Sequence, residues 1–152
     1  MKTDNSGYQF SPISYHLFRK TNQMEEQSKS DRDAAIRLTM MPRDTNAHGT
    51  VFGGIILSYI DVAGGVESIR HTKHNRFVTV AMKEVIFHEP VFVGDLVSFY
   101  ARTLKVGNTS ITIHIEVEAE RFGTPGELVK VTEAEVTFVA IDENGKKVSI
   151  GK

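Results

Sequence analysis

The chain has 152 residues, of which 40% are hydrophobic and 24% are charged, a composition typical of a single globular domain. Its formal net charge of −1 and its isoelectric point of about 6.6 give no overall attraction for nucleic acid or for an anionic membrane surface. It has no cysteine, which excludes disulfides, thiolate nucleophiles and cysteine-based metal sites.

The N-terminal segment, residues 1–31, is predicted to be a partly irregular extension outside the core, because it is polar and has no sustained hydrophobic period. Its aromatic residues argue against complete disorder. They are Tyr8, Phe10, Tyr15 and Phe18. The segment lacks the apolar core of a signal peptide, and no run in the chain approaches the roughly 20 apolar residues that span a bilayer. We therefore expect a cytoplasmic protein without a membrane segment.

The next elements predicted are a strand over residues 34–41 and a loop over residues 42–49, which is rich in Asp, Thr, Asn and Gly. The apolar run that follows predicts a long helix from about residue 53 to residue 70. We expect a helix of this composition to be buried. The basic segment 70–76 then predicts a solvated connection.

Asp61 lies in the middle of this apolar helix, which opens on Gly53 and Gly54. An unpaired buried carboxylate costs several kcal/mol, so Asp61 is expected to be partnered, partly solvated or held for chemistry. A structural role, paired with a buried arginine or capping a neighbouring helix, is the alternative. Glycines at a helix N-terminus let a ligand approach the unpaired backbone N–H groups, where the helix dipole favours negative charge. An oxyanion site and a carboxylate are thus predicted in one segment.

Only strands are predicted after the helix, over residues 77–88, 96–106, 109–122 and 128–142. Apolar and polar residues alternate strictly over residues 111–120, as in an antiparallel strand with one solvated face. Turn sequences that contain glycine separate most of these strands. The fold class predicted is α+β, with a long central helix wrapped by an antiparallel sheet of five to six strands.

Several motifs in these elements match a known family. The first motif begins at Asn46 and ends with Thr50-Val51-Phe52-Gly53-Gly54, and Asp61 follows it further along the predicted helix. Others occupy residues 78–81, 90–95 and 104–107. Together they resemble the hotdog-fold acyl-CoA thioesterases, above all the YciA-like branch and the cytosolic acyl-CoA hydrolases. The resemblance covers residues 34–150, and it implies a hotdog domain over residues 32–152. The phenylalanine before the glycine pair matches the Phe-Gly-Gly form of the YciA-like branch.

The resemblance implies hydrolysis of acyl-CoA to free CoA and a carboxylic acid, with no cofactor besides the CoA of the substrate. It assigns Asp61 as the general base on water or as a direct nucleophile. Asn46 would orient the water or the thioester, and the N–H of Gly53, helped by Gly54, would hold the oxyanion. Thr79 would help to hold the water.

The resemblance also places the CoA moiety beside the turn Gly107-Asn108-Thr109-Ser110. Relatives often have a basic residue where Asn108 stands, so contact with phosphate is expected from another cation. The candidates are Lys105, Lys83 and Arg102. The histidines show no spacing of two histidines and a carboxylate, so we predict no metal site.

Gly53 and Asp61 are eight positions apart, which in a straight helix is about 12 Å along the axis. A reacting carbon must lie about 3 Å from both the oxyanion donor and the nucleophile. Two antiparallel helices from two protomers bring Gly53 of one protomer to Asp61 of the other. A homodimer with shared sites is therefore predicted, and the resemblance implies a trimer of such dimers.

Two other functions compete with hydrolysis. A non-catalytic acyl-CoA-binding module would bind the same ligand, but the carboxylate at position 61 argues against it. An acyl-thioester dehydratase would need a histidine and acid pair near the start of the helix, and the sequence pattern does not indicate one there.

Overall fold

The computed structural model describes residues 2–3, 9–30 and 32–150. The chain forms two compact units, Met1–Asp33 and Ala34–Lys152. In the first unit, strand β1 (Lys2–Thr3) pairs antiparallel with β2 (Gln9–Phe10), and helix α1 spans Pro12–Ser30.

Helix α1 occupies most of the segment for which an irregular conformation was predicted, and the prediction missed it. The hydroxyl of Ser11 accepts a hydrogen bond from the N–H of Ser14 at 3.2 Å, so Ser11 caps the helix. Pro12 then stands at the first helical position, where its fixed φ and missing N–H are tolerated. The Ser-Pro pair was the local signal for this start, but the residues after it have no apolar period.

The second unit contains one long helix and a five-stranded antiparallel sheet. Helix α2 spans Gly53–Thr72. The strands are β3 (Ile36–Thr39), β4 (Phe77–Met82), β5 (Leu96–Val106), β6 (Ser110–Glu120) and β7 (Leu128–Ala140). Their order in the sheet is β3-β5-β6-β7-β4, so β3 and β4 form the two edges. This is the α+β arrangement predicted from the sequence.

Helix α2 packs on one face of the sheet through residues spaced three or four apart, the spacing of one helical face. The buried ones are Ile56, Ile60, Ala63, Gly64 and Ser68. The sheet contributes the alternating isoleucines and valines of β6, all fully buried, as its period of two predicted. The helix ends at Thr72 and is capped by Lys73, which adopts the left-handed conformation and whose N–H donates to the Ile69 carbonyl at 2.8 Å.

Strand β4 is shorter than predicted, because it ends at Met82 and not at His88. Its pairing with β7 shifts register between Thr79 and Ala81. Residues 83–88 stay near β7 through single bonds, such as the 2.9 Å bond from the His88 N–H to the Val131 carbonyl. The apolar residues at 85–87 have strand preference but lie outside the ladder, since preference does not determine whether a partner is within reach.

The opposite face of α2 is exposed, although the composition predicted a buried helix. Val62 is 53% exposed and Ile69 is 46% exposed. Val78 and Val80 on the edge strand β4 are exposed as well. Exposed apolar side chains on a helix and on an edge strand are typical of surfaces at which proteins associate. In the part of the chain that the structure describes, no helix is both long and apolar enough to cross a membrane.

Replacing Gly64 with alanine should lower the free energy of unfolding by about 1–3 kcal/mol, the usual cost of overpacking a core. An added Cβ at Gly64 would lie 2.6 Å from the ring of Phe138, which is itself buried. The matched control is Gly65→Ala, because a Cβ there meets no described atom within 4 Å. Alanine should be neutral or stabilising at Gly65 by up to about 1 kcal/mol. Urea unfolding at one protein concentration compares the two, and equal stabilities would contradict the packing assigned to Gly64.

Candidate active site

The Asn46 side chain closes the loop that leads into α2. Its Oδ1 accepts hydrogen bonds from the N–H groups of His48 at 2.9 Å and Thr50 at 3.2 Å. Its Nδ2 donates to the Thr50 hydroxyl at 2.8 Å. Gly49 adopts a φ of 83°, which favours glycine, and its N–H donates to the Asn46 carbonyl. Asn46 therefore shapes the turn, and one Nδ2 hydrogen is not needed for the bond to Thr50.

A cleft of about 310 Å³ lies beside the N-terminus of α2. Two chain segments face each other across it, and the Val51 N–H donates to the Val91 carbonyl at 2.8 Å to join them. The lining residues are Thr50, Val51, Gly53, Ile56, Phe87, His88, Glu89, Pro90 and Val91. The cleft is thus formed by the start of α2 on one side and by residues 87–91, which we call the cleft wall, on the other.

Gly53 and Gly54 occupy the first two positions of α2. Backbone N–H groups in the first turn have no acceptor within their own helix, so they point out of its N-terminus. A Cβ at Gly53 would lie 3.4 Å from the Phe87 ring, whereas a Cβ at Gly54 would meet no described atom within 4 Å. Gly53 faces the cleft wall closely. Of the two glycines, Gly53 is the one that lines the cleft.

Asp61 and Thr79 are in direct contact. The Thr79 hydroxyl donates to Oδ1 of Asp61 at 2.5 Å, across the space between α2 and the edge strand β4. Asp61 is half-buried and Thr79 is exposed. This hydrogen bond orients the carboxylate and leaves Oδ2 available for another donor. Two of the residues predicted for the site are thus brought together within one chain.

Gly53 and Asp61 are not brought together within one protomer. Both lie on α2, which is helical from Gly53 to Thr72, and eight residues of helix separate them by about 12 Å. Within one chain, the Asp61–Thr79 hydrogen bond and the cleft beside Gly53 therefore lie at two separate places.

The turn predicted to approach CoA connects β5 and β6. The Gly107 N–H donates to the Ser110 carbonyl at 2.7 Å, and the Thr109 carbonyl accepts from Ala140 at 2.9 Å. Oδ1 of Asn108 accepts from the Ser149 hydroxyl at 2.9 Å, which ties the turn to the C-terminal segment.

The candidate cations differ in their surroundings. The Lys83 ammonium hydrogen-bonds the Glu135 carboxylate and thereby lowers the pKa of that carboxyl below its usual value. Lys105 and Arg102 are exposed on β5. Lys83 already has a carboxylate partner. Lys105, which is close to the turn, is therefore the better candidate for contact with phosphate.

His88 and Glu89 line the cleft, and sequence reasoning missed both. They lie near the start of the helix, where the sequence pattern indicated no histidine and acid pair. A signal was available in the sequence, since His88 and Glu89 directly precede Pro90, the first residue of the matched motif at 90–95.

Three potential metal ligands, not foreseen from sequence spacing, meet on the sheet. Ligand atoms of His114, Glu116 and Glu133 lie within 4.8 Å of one another. They come from two strands, β6 and β7, so their proximity depends on strand register. Nζ of Lys130 lies 3.0 Å from the Glu133 carboxylate and competes for it.

Comparison with known proteins agrees with this architecture. The family model described as the thioesterase superfamily matches residues 48–125, which include the start of α2, Asp61, Thr79 and the cleft wall. The chain belongs to the thioesterase superfamily. Acyl-CoA thioester hydrolase YciA of Salmonella typhimurium strain LT2 is 41% identical over 116 residues, covering 75% of this chain and 86% of the relative.

Two solved structures show similar folds. One is an aspartate-to-alanine mutant of HI0827, described as a hexameric broad-specificity acyl-coenzyme A thioesterase, with a TM-score of 0.75 and 40% identity over 80% of this chain and 88% of that one. The other is Cj0915 of Campylobacter jejuni, a hexameric hotdog-fold thioesterase, with a TM-score of 0.73 and 41% identity over 78% and 90% of the two chains. The predicted family and the predicted hotdog fold of this thioesterase-superfamily member are confirmed.

Proposed function

We propose that this protein hydrolyses acyl-CoA thioesters to free CoA and a carboxylic acid. The observation that carries the proposal is the carboxylate of Asp61, oriented by the Thr79 hydroxyl in a chain whose relatives are acyl-CoA thioester hydrolases. The glycine N–H groups at the start of α2, which have no acceptor within their own helix, would supply the second element that thioester hydrolysis needs, a site for the developing oxyanion.

In the proposed reaction, Asp61 acts as a general base or as the nucleophile itself. As a base, it takes a proton from water while the water oxygen attacks the thioester carbonyl carbon. The oxyanion that forms accepts hydrogen bonds from the N–H of Gly53, with help from Gly54. The carbon–sulfur bond then breaks, the carboxylic acid is released, and the CoA thiolate takes up the proton that Asp61 removed from water, which regenerates the carboxylate. The proposed route uses no metal ion and no redox cofactor.

We further propose that the active sites form between two protomers. Because about 12 Å of helix separates Gly53 from Asp61, a shared site would take the oxyanion donor from one chain and the carboxylate from the other. The exposed Val62 and Ile69 on α2, and Val78 and Val80 on β4, supply apolar surface for such a dimer. Relatives described as hexameric support a trimer of these dimers.

Release of free CoA from a panel of acyl-CoAs, from short to long chains, tests the proposed activity. We expect turnover of at least one member of the panel. Tight binding without CoA release would instead support the non-catalytic acyl-CoA-binding module. The panel also defines the acyl chain that the cleft accepts, to which Ile56 and Phe87 contribute apolar surface.

Replacing Asn46 with alanine should lower kcat by about 10- to 100-fold, since orientation is lost while the carboxylate remains. The Asn46→Asp variant distinguishes two roles of Asn46, shaping the loop and donating a hydrogen bond from its amide. Aspartate keeps the oxygen that accepts from His48 and Thr50, but it has no amide hydrogens. We expect kcat of both variants to fall in the CoA-release assay. An Asn46→Asp variant with wild-type kcat would mean that Asn46 only forms the turn.

A further inference from the structure

Arg121 directly follows β6 and makes a set of contacts with the segment that forms the cleft wall. Its Nη1 donates to the Pro90 carbonyl and to Oδ2 of Asp95, both at 2.7 Å. Its Nη2 lies 3.7 Å from the Glu89 carboxylate. The guanidinium carbon lies 5.1 Å from the centre of the Phe92 ring, within the range of a cation–π contact. One side chain therefore contacts four residues of the short segment 89–95.

Asp95 completes this arrangement through its own hydrogen bonds. It is 2% exposed, and its Oδ2 accepts from the Phe92 N–H at 3.1 Å in addition to Arg121. Its Oδ1 accepts from the Phe122 N–H at 3.1 Å. The Arg121 side chain is also largely buried, so the two charges compensate each other away from water. The ion pair fixes where the chain passes at Pro90 and Phe92.

The cleft wall is in turn bonded to the loop of Asn46. The Val91 carbonyl accepts from the Val51 N–H at 2.8 Å, and Phe92 forms a β-bridge with Thr50. The Thr50 hydroxyl accepts from the Asn46 amide at 2.8 Å. Adjacent residues and hydrogen bonds thus connect Arg121 to Asn46 without a gap.

We propose that Arg121 is a positioning residue for thioester hydrolysis, an inference that rests on the proposed function. Arg121 is outside the set of residues that line the cleft, and it acts through Pro90 and Phe92 on the cleft wall and on the Asn46 loop. It holds both at the spacing from Gly53 that the reaction requires. Misplacement of reacting groups by about 1 Å can cost roughly 100-fold in rate. A residue that does not touch the substrate, such as Arg121, can therefore still affect kcat.

Two substitutions of Arg121 test the proposal. Arg121→Met keeps most of the side-chain volume and removes every polar contact. Arg121→Lys keeps the charge beside Asp95, but one ammonium cannot also reach the Pro90 carbonyl and cover the Phe92 ring in the same geometry. We expect kcat to fall by about 10- to 100-fold for methionine and by about 3- to 10-fold for lysine, with KM changed less than kcat.

The matched control is Arg37→Met, because Arg37 also donates to two partners but acts elsewhere. Its Nε donates to the Ser98 hydroxyl at 2.9 Å and its Nη2 to the Tyr100 hydroxyl at 3.2 Å, at the β3 edge of the sheet. We expect Arg37→Met to keep wild-type kcat. Thermal unfolding shows the temperature range in which each variant is folded. The kcat values are compared within that range.

Amide hydrogen exchange gives a readout that is independent of activity. If Arg121 holds the cleft wall, the Val51 N–H, which bonds to Val91, should exchange faster in both Arg121 variants. Amides in the β5–β6 ladder should exchange as in the wild type. A loss of kcat without faster exchange at Val51 would overturn the proposed route through the cleft wall.

A folded Arg121→Met or Arg121→Lys variant with wild-type kcat would overturn the positioning role. Arg121→Lys, which retains the buried charge pair, decides the question if Arg121→Met does not fold. The failure of the proposed function has a different signature, since the wild-type protein would then release no CoA from any acyl-CoA and the role of Arg121 would fall with it. An active wild type with unaffected Arg121 variants refutes the positioning role alone.

Discussion

Replacing Asp61 with asparagine should lower kcat for acyl-CoA hydrolysis roughly 100- to 10,000-fold, the usual contribution of a general base. Asparagine is nearly isosteric, and its Oδ1 can still accept the hydrogen bond from the Thr79 hydroxyl. The fold and the oligomeric state should therefore be unchanged. What asparagine cannot do is accept a proton from water or attack the thioester as an anion. Release of CoA by the purified variant measures the loss.

Glu67→Gln is the matched control for this substitution. Glu67 lies on the same helix, is half-buried, and accepts a hydrogen bond from the Thr103 hydroxyl at 2.9 Å, so it has the same kind of partner as Asp61. Glutamine should leave kcat within about threefold of the wild type, because its Oε1 can still accept from the Thr103 hydroxyl and position 67 lies about 9 Å along the helix from Asp61. If Asp61→Asn is folded and turns over every acyl-CoA at the wild-type rate, Asp61 is a structural carboxylate.

Local sequence signals were sufficient to predict the elements in which the residue pattern matches the surroundings that the fold provides. Strand β5 has the predicted bounds, Leu96–Val106, and α2 begins at the predicted Gly53. The period of two in β6 identified its buried face, because only one face of that strand contacts α2. Apolar composition did not show that α2 leaves Val62 and Ile69 exposed, since a core and an association surface have similar residues.

The residues that sequence reasoning missed depend on contacts between distant positions. Arg121 and Asp95 are 26 residues apart, and nothing in the residues around either one indicates the other. His88 and Glu89 reach the cleft because β4 ends early and the following segment turns toward α2. Local preference predicted a continuous strand there. Long-range contacts decided the outcome, as they commonly do for strands.

Two inactive variants should restore activity when their subunits are mixed, if Gly53 and Asp61 act across a dimer. One variant is Asp61→Asn. The other is Gly53→Val, in which the Cβ would lie 3.4 Å from the Phe87 ring, so that the valine methyl groups crowd the cleft and block the N–H. A mixed dimer has one site with both defects and one site with neither. Random exchange of equal amounts should therefore restore about one quarter of the wild-type sites.

Each variant alone, treated in the same way, is the control for this experiment, and native mass measurement shows that mixed dimers have formed. Activity that stays absent although mixed dimers are present would contradict the shared site, provided that Gly53→Val is still a stable dimer. A site within one protomer predicts no recovery at any mixing ratio, because every chain then contains a defect. The separation of about 12 Å between the two positions along α2 makes recovery the expected result.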